Sequence, residues 1–103
     1  GLQLAATALD HAEVQLRGYL RSVAAVLRKQ GIATQVAVRR GAPADQILAY
    51  AAEVGADLIG MSTHGLSGNG RWVYGNVAGK VLQGALSPVL LIRPTSEQEG
   101  DGV

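Results

Sequence analysis

Cysteine is absent from the 103 residues. That excludes disulfides, thiolate nucleophiles and cysteine-based metal sites, and it fits an intracellular, cytoplasmic protein. Phenylalanine is absent too, and aromatic residues make up only 4%. A core therefore has to be assembled from Val, Leu, Ile and Ala, a palette that suits helices packed on a parallel sheet. Charge of one sign is scarce: the net charge is +1, too small for the electrostatic footprint of a nucleic-acid partner. No apolar run approaches the ~20 residues of a membrane span and no signal peptide opens the chain, so no membrane partner is expected. No cluster of His, Asp and Glu has metal-ligand spacing, and no Ser-His-Asp pattern accompanies the two histidines.

What is present is a chain that is 48% hydrophobic, enough for the core of one domain. Gly1 has no initiator Met before it, which suggests a processed, fragmentary or partly represented chain. A helix is expected from about Thr7 to Gln30, with Leu9, Leu16, Leu20, Val23 and Leu27 near one face. Thr7 with Asp10 resembles a capping box, and Gly31 is the expected C′ residue. Thr34 to Arg39 alternates like a strand near an edge. Pro43 opens a second helix that Gly55 ends, with Ile47, Leu48, Ala51 and Val54 buried. Asp57 to Met61 reads as a central strand. A helix from Asn76 to Leu86 should turn Val77, Val81, Leu82 and Ala85 inward. Pro88 to Arg93 is a last strand stopped by Pro94, and Thr95 to Val103 reads as a disordered acidic tail after a domain of residues 1–94. Helix and strand alternate, which predicts an α/β fold, an open parallel sheet with flanking helices. Three strands make that sheet thin, and the first helix has no strand before it.

Between the central strand and the following helix lies Ser62-Thr63-His64-Gly65-Leu66-Ser67-Gly68-Asn69-Gly70-Arg71-Trp72-Val73-Tyr74-Gly75-Asn76. A glycine-rich loop there can point backbone N–H groups at an anion, and the helix dipole favours negative charge at the same place. The carboxyl ends of strands are also where open α/β sheets take their ligands. Gly65 and Gly70 have Walker A spacing, but Arg71-Trp72 replace its Lys-Ser/Thr. Gly68 and Gly70 lack the third glycine of a dinucleotide fingerprint.

The stretch resembles the universal stress protein family, whose nucleotide-binding members carry Gly-x2-Gly-x9-Gly-Ser/Thr here. The register in this chain is Ser62-x2-Gly65-x9-Gly75-Asn76. Gly75-Asn76-Val77-Ala78-Gly79-Lys80-Val81-Leu82, Ser87-Pro88-Val89-Leu90-Leu91-Ile92-Arg93 and Gly41-Ala42-Pro43-Ala44-Asp45-Gln46-Ile47 match as well. The resemblance implies a Rossmann-like domain, akin to the adenine nucleotide alpha hydrolases, that binds ATP or a related nucleotide (AMP or ADP). Ser62, His64, Gly65, Gly68, Arg71, Gly75, Asn76 and Val77 would form the site. Magnesium would arrive with the phosphates. It also implies a homodimer through Val89–Arg93, and a first βαβ unit, with an aspartate facing adenosine, that this chain lacks. Ser62 and Asn76 depart from the motif; Asn76 still offers an amide and is a good N-cap.

Plainer roles compete for several of these residues. His64 reads as a loop histidine bonded to backbone, His11 as a solvated helix position, Asp57 as a cap and Lys80 as exposed. Arg71 reaches a phosphate or stays solvated. Trp72 and Tyr74 anchor the loop or a subunit interface rather than a base. Two functions follow: a nucleotide-dependent stress-signalling domain with at most slow ATP hydrolysis, or a dimeric interaction module that has lost the ligand.

Overall fold

The computed structural model describes residues 1–7, 10–63 and 75–93. Its elements run β1 (Leu2–Thr7), α1 (Asp10–Lys29), β2 (Thr34–Arg39), α2 (Pro43–Val54), β3 (Ile59–Ser62), α3 (Asn76–Gly84) and β4 (Val89–Ile92). The α/β alternation is as expected, and the strands form two parallel pairs, β1 with β2 and β3 with β4. Two compact units divide the chain, Gly1–Ile47 and Leu48–Val103.

The first unit corrects the reading of the N-terminus. Leu2–Thr7 is a strand, so the first helix does follow a strand and the described strands number four, not three. Two alternating leucines followed by two alanines carry a weak strand signal, and alanine favours helix. Pairing with β2 decides the matter, in register from Leu2↔Thr34 to Thr7↔Arg39. Thr7 therefore ends a strand and is not a helix cap. Helix α1 packs on both strands and turns Leu16, Leu20, Val23 and Leu27 towards them, with Ala24 fully buried. Gly31 closes α1 in a left-handed conformation, φ 86°. The N–H of Gly31 donates to Arg28 O at 2.9 Å and that of Ile32 to Leu27 O at 3.0 Å, the two bonds of a Schellman cap. Arg28 then donates to the carbonyl of Thr34 through Nη2 at 2.7 Å, fixing the start of β2.

In the second unit Gly55, φ 64°, ends α2 in the same manner, with the N–H of Ala56 donating to Ala51 O at 2.9 Å. β3 begins two residues later than expected; Asp57 and Leu58 are exposed ahead of it. Among the described residues β3 pairs with β4 alone, from Ile59↔Val89 to Ser62↔Ile92. Alternation puts Ile59 inside, while Leu90 and Ile92 are about half exposed. Ala78 and Val81 are the buried positions of α3. Leu82, expected inward, is exposed because it lies one step round the helix from Val81. Gly84 ends α3 hard against α2: a Cβ there would meet Leu48 Cδ1 at 2.7 Å. Leu9, Pro94 and the tail from Thr95 lie outside the described residues.

Candidate functional site

The site is built where β3 ends and α3 begins. Parallel pairing brings the carboxyl ends of β3 and β4 together at Ser62 and Ile92. Ser62 sits on the exposed face of β3, and Thr63, the next residue, is buried. The Thr63 N–H donates to Ile92 O at 3.2 Å, one step beyond the strand register. Its Oγ1 accepts the N–H of Gly75 at 3.3 Å. Strand end and helix start are thus joined through one threonine.

Gly75 is the N-cap of α3, with φ −82° and ψ −174°. Asn76, expected as the cap, is instead the first helical residue. Any residue can adopt the Gly75 conformation, and a Cβ there would come no closer than 3.9 Å to Thr63 Oγ1 among the described atoms. The backbone does not demand this glycine; its effect is to leave the helix start open. The Gly75 carbonyl accepts the N–H of Gly79 at 3.0 Å, the first helical bond. The N–H groups of Asn76, Val77 and Ala78 precede it and have no helical acceptor. They carry the positive end of the α3 dipole.

From this end a groove of about 260 Å³ runs along α3, lined by Gly75, Asn76, Gly79, Lys80 and Gln83. These positions share one face of the helix. Gly79 has no side chain to fill the groove, and Lys80 is exposed, with no ion-pair partner among the described residues. The Asn76 and Gln83 amides and the Lys80 side chain thus line one strip of surface that begins at the helix start, where the first-turn N–H groups have no helical acceptor, a donor set suited to an anion.

Of the expected site residues, Ser62 ends β3, Gly75 caps α3 and is bonded to Thr63, and Asn76 and Val77 open α3. His64, Gly65, Gly68 and Arg71 lie outside the described residues, as do Trp72 and Tyr74. Thr63, Gly79 and Gln83 are not among the site residues that the sequence points to. Helical spacing from Gly75 would have found Gly79 and Gln83; nothing local distinguishes Thr63 from its neighbours. Among the described residues no group of three or more His, Asp or Glu could hold a metal ion, and no helix is long and apolar enough to cross a membrane.

The family model of the universal stress protein family matches residues 2–93. The chain belongs to the universal stress protein family. A universal stress protein of Methanocaldococcus jannaschii is 32% identical over 79 residues, 77% of this chain and 46% of that protein. The universal stress protein YxiE of Bacillus subtilis is 35% identical over 65 residues, 63% of this chain and 44% of YxiE. The chain thus spans about half the length of the curated relatives it matches. A universal stress protein structure from Archaeoglobus fulgidus superposes with a TM-score of 0.75 at 23% identity, covering 87% of this chain and 74% of that one. A universal stress protein crystallised in complex with cAMP gives 0.70 at 26% identity, covering 91% and 74%. The universal stress protein fold, a Rossmann-like α/β arrangement with parallel strands, is therefore the fold of this chain.

Proposed function

We propose that this universal stress protein domain binds ATP or a related adenine nucleotide at the start of α3 and serves as a ligand-dependent signalling domain in the cytoplasm. The observation that carries the reading is a helix start tied to the carboxyl end of β3, whose N–H groups at Asn76, Val77 and Ala78 have no helical acceptor, with Lys80 on the groove that begins there. The cAMP bound to a structural neighbour supports an adenine ligand. Phosphates would be held by those N–H groups and Lys80, with the Asn76 amide assisting. Ser62, His64, Gly65, Gly68 and Arg71 would complete the site from the strand side. Magnesium would enter on the phosphates and be held largely by them.

Thermal unfolding with Mg-ATP tests this. Ligand at 100 times its dissociation constant should stabilise the protein by about 2.7 kcal/mol, and Gly65→Val should abolish the shift. No shift at saturating Mg-ATP in the folded protein contradicts the reading.

The exposure of Leu90 and Ile92 supports a second reading, a homodimer paired through Val89 to Arg93. Apolar side chains on a strand edge favour association. Ile92→Lys should then give monomers by light scattering; a mutant that stays dimeric removes that interface. Were nucleotide binding absent and the dimer present, an interaction module would be the better description.

A further inference from the structure

We propose that Thr63 is the positioning residue of the nucleotide site: it holds the start of α3 so that the N–H groups of Asn76, Val77 and Ala78 are offered to phosphate while that of Gly75 is withheld. The proposal rests on the nucleotide reading above.

Thr63 is only 8% exposed, although it adjoins an exposed strand end. Its backbone belongs to the strand pair, because its N–H donates to Ile92 O at 3.2 Å. Its side chain belongs to the helix, because Oγ1 accepts the Gly75 N–H at 3.3 Å. Residues 63 and 75 are the two ends of the glycine-rich segment, so this hydroxyl fixes the distance between them. A hydrogen bond of this kind has one further effect. Gly75 is the N-cap, and an unbonded N–H there would be the outermost donor facing an incoming anion. With that donor engaged by Thr63, the donors left are those inside the first turn, which point along the helix axis with the dipole. The Gly75 carbonyl meanwhile accepts the first helical bond, from the Gly79 N–H, which leaves the N–H groups of Asn76, Val77 and Ala78 without a helical acceptor. Thr63 touches no ligand in this scheme; it sets where the ligand's contacts lie.

Two substitutions separate positioning from packing. Thr63→Val keeps the shape and the β-branch but removes Oγ1; Thr63→Ser keeps the hydroxyl and removes a methyl. Amide hydrogen exchange at Gly75 and Mg-ATP affinity by calorimetry are read on both and on the parent protein. Thr63→Val should exchange at Gly75 about fivefold faster and bind Mg-ATP about fivefold more weakly, the scale of one neutral hydrogen bond. Thr63→Ser should match the parent in both. A parent that binds Mg-ATP while Thr63→Val binds it equally well overturns the proposal alone. Equal loss of affinity in Thr63→Ser and Thr63→Val also overturns it, since packing would then be the cause. A folded parent that does not bind Mg-ATP overturns the nucleotide reading and the proposal together.

Discussion

The two units of this chain use one plan for different ends. Each contains a pair of parallel strands with a helix between them, β1–α1–β2 in the first and β3–α3–β4 in the second. In the first, residues 8–9 lead from strand to helix, and charged and polar side chains nearby bond to one another. Glu13 accepts from Arg17 Nη2 at 3.0 Å and from Arg40 Nη2 at 2.8 Å, while Arg39 Nε donates to Gln46 Oε1 at 3.0 Å. In the second, strand and helix are separated by residues 63–75, and the helix start keeps free N–H groups with a lysine that has no ion-pair partner among the described residues. The contrast among the described residues is therefore one of side chains, bonded to one another in the first unit and leaving Lys80 without an ion-pair partner in the second, and it marks the second unit as the candidate site.

The largest expected effects lie in the cores, where the two units should behave alike. Ala24 and Val81 are both fully buried. Ala24→Asp and Val81→Asp should each cost about 3 kcal/mol or more in chemical denaturation, because each buries an unpaired charge. A mild effect at either position would remove that unit's assigned core. Next come the helix ends. Gly31→Ala and Gly55→Ala should each cost about 1 kcal/mol, since both glycines have positive φ in matching caps. Unequal costs would mean that the two caps are not equivalent.

The comparison becomes sharper at the helix starts. Lys80→Glu should weaken Mg-ATP binding roughly tenfold by calorimetry, through a reversed charge beside the dipole. Gly75→Ala should cost no more than about 0.5 kcal/mol of stability, the scale of a weakened N-cap, because its φ admits a Cβ that meets nothing closer than 3.9 Å among the described atoms; the main loss should be in nucleotide affinity. A larger stability loss in Gly75→Ala would show that the glycine is structural after all.

The smallest effect concerns Glu13. The hydrogen bonds of Arg40, then of Arg17, hold its carboxyl below the usual 4.5. A lowered value in the folded state means that the clasp contributes stability above about pH 4.5, and that the contribution is lost as pH falls through the depressed value. Glu13→Gln should therefore lower the melting temperature slightly at neutral pH, and the difference should vanish in acid. High salt should shrink it too, because the Arg40 pair is solvent-exposed and the Arg17 pair only partly buried. A difference that persists unchanged to the most acid pH at which the protein stays folded would contradict the assignment.

How far the sequence reveals this follows from which forces are local. Pro43, Gly31 and Gly55 mark helix ends through their own dihedral preferences, and the structure places those ends where the residues indicate. Leu16, Leu20, Val23 and Leu27 reveal their buried face by spacing alone. Leu2–Thr7 does not reveal itself, because its strand state is set by pairing with residues more than thirty positions away. Leu82 misleads because its neighbour Val81 takes the inward position. At the candidate site, the motif register points to Ser62, Gly75, Asn76 and Val77, which the structure places at the end of β3 and the start of α3. Thr63 is not legible there, since its importance arises from a bond to Gly75 that only the fold creates.

The most direct test of the central claim is an amide-shift titration of the protein with Mg-ATP by NMR. The account predicts saturable shifts at Asn76, Val77 and Ala78, with the amides of Glu13, Arg17 and Arg40 unmoved. Saturable shifts centred on Glu13 and Arg40, with the α3 start silent, would contradict it.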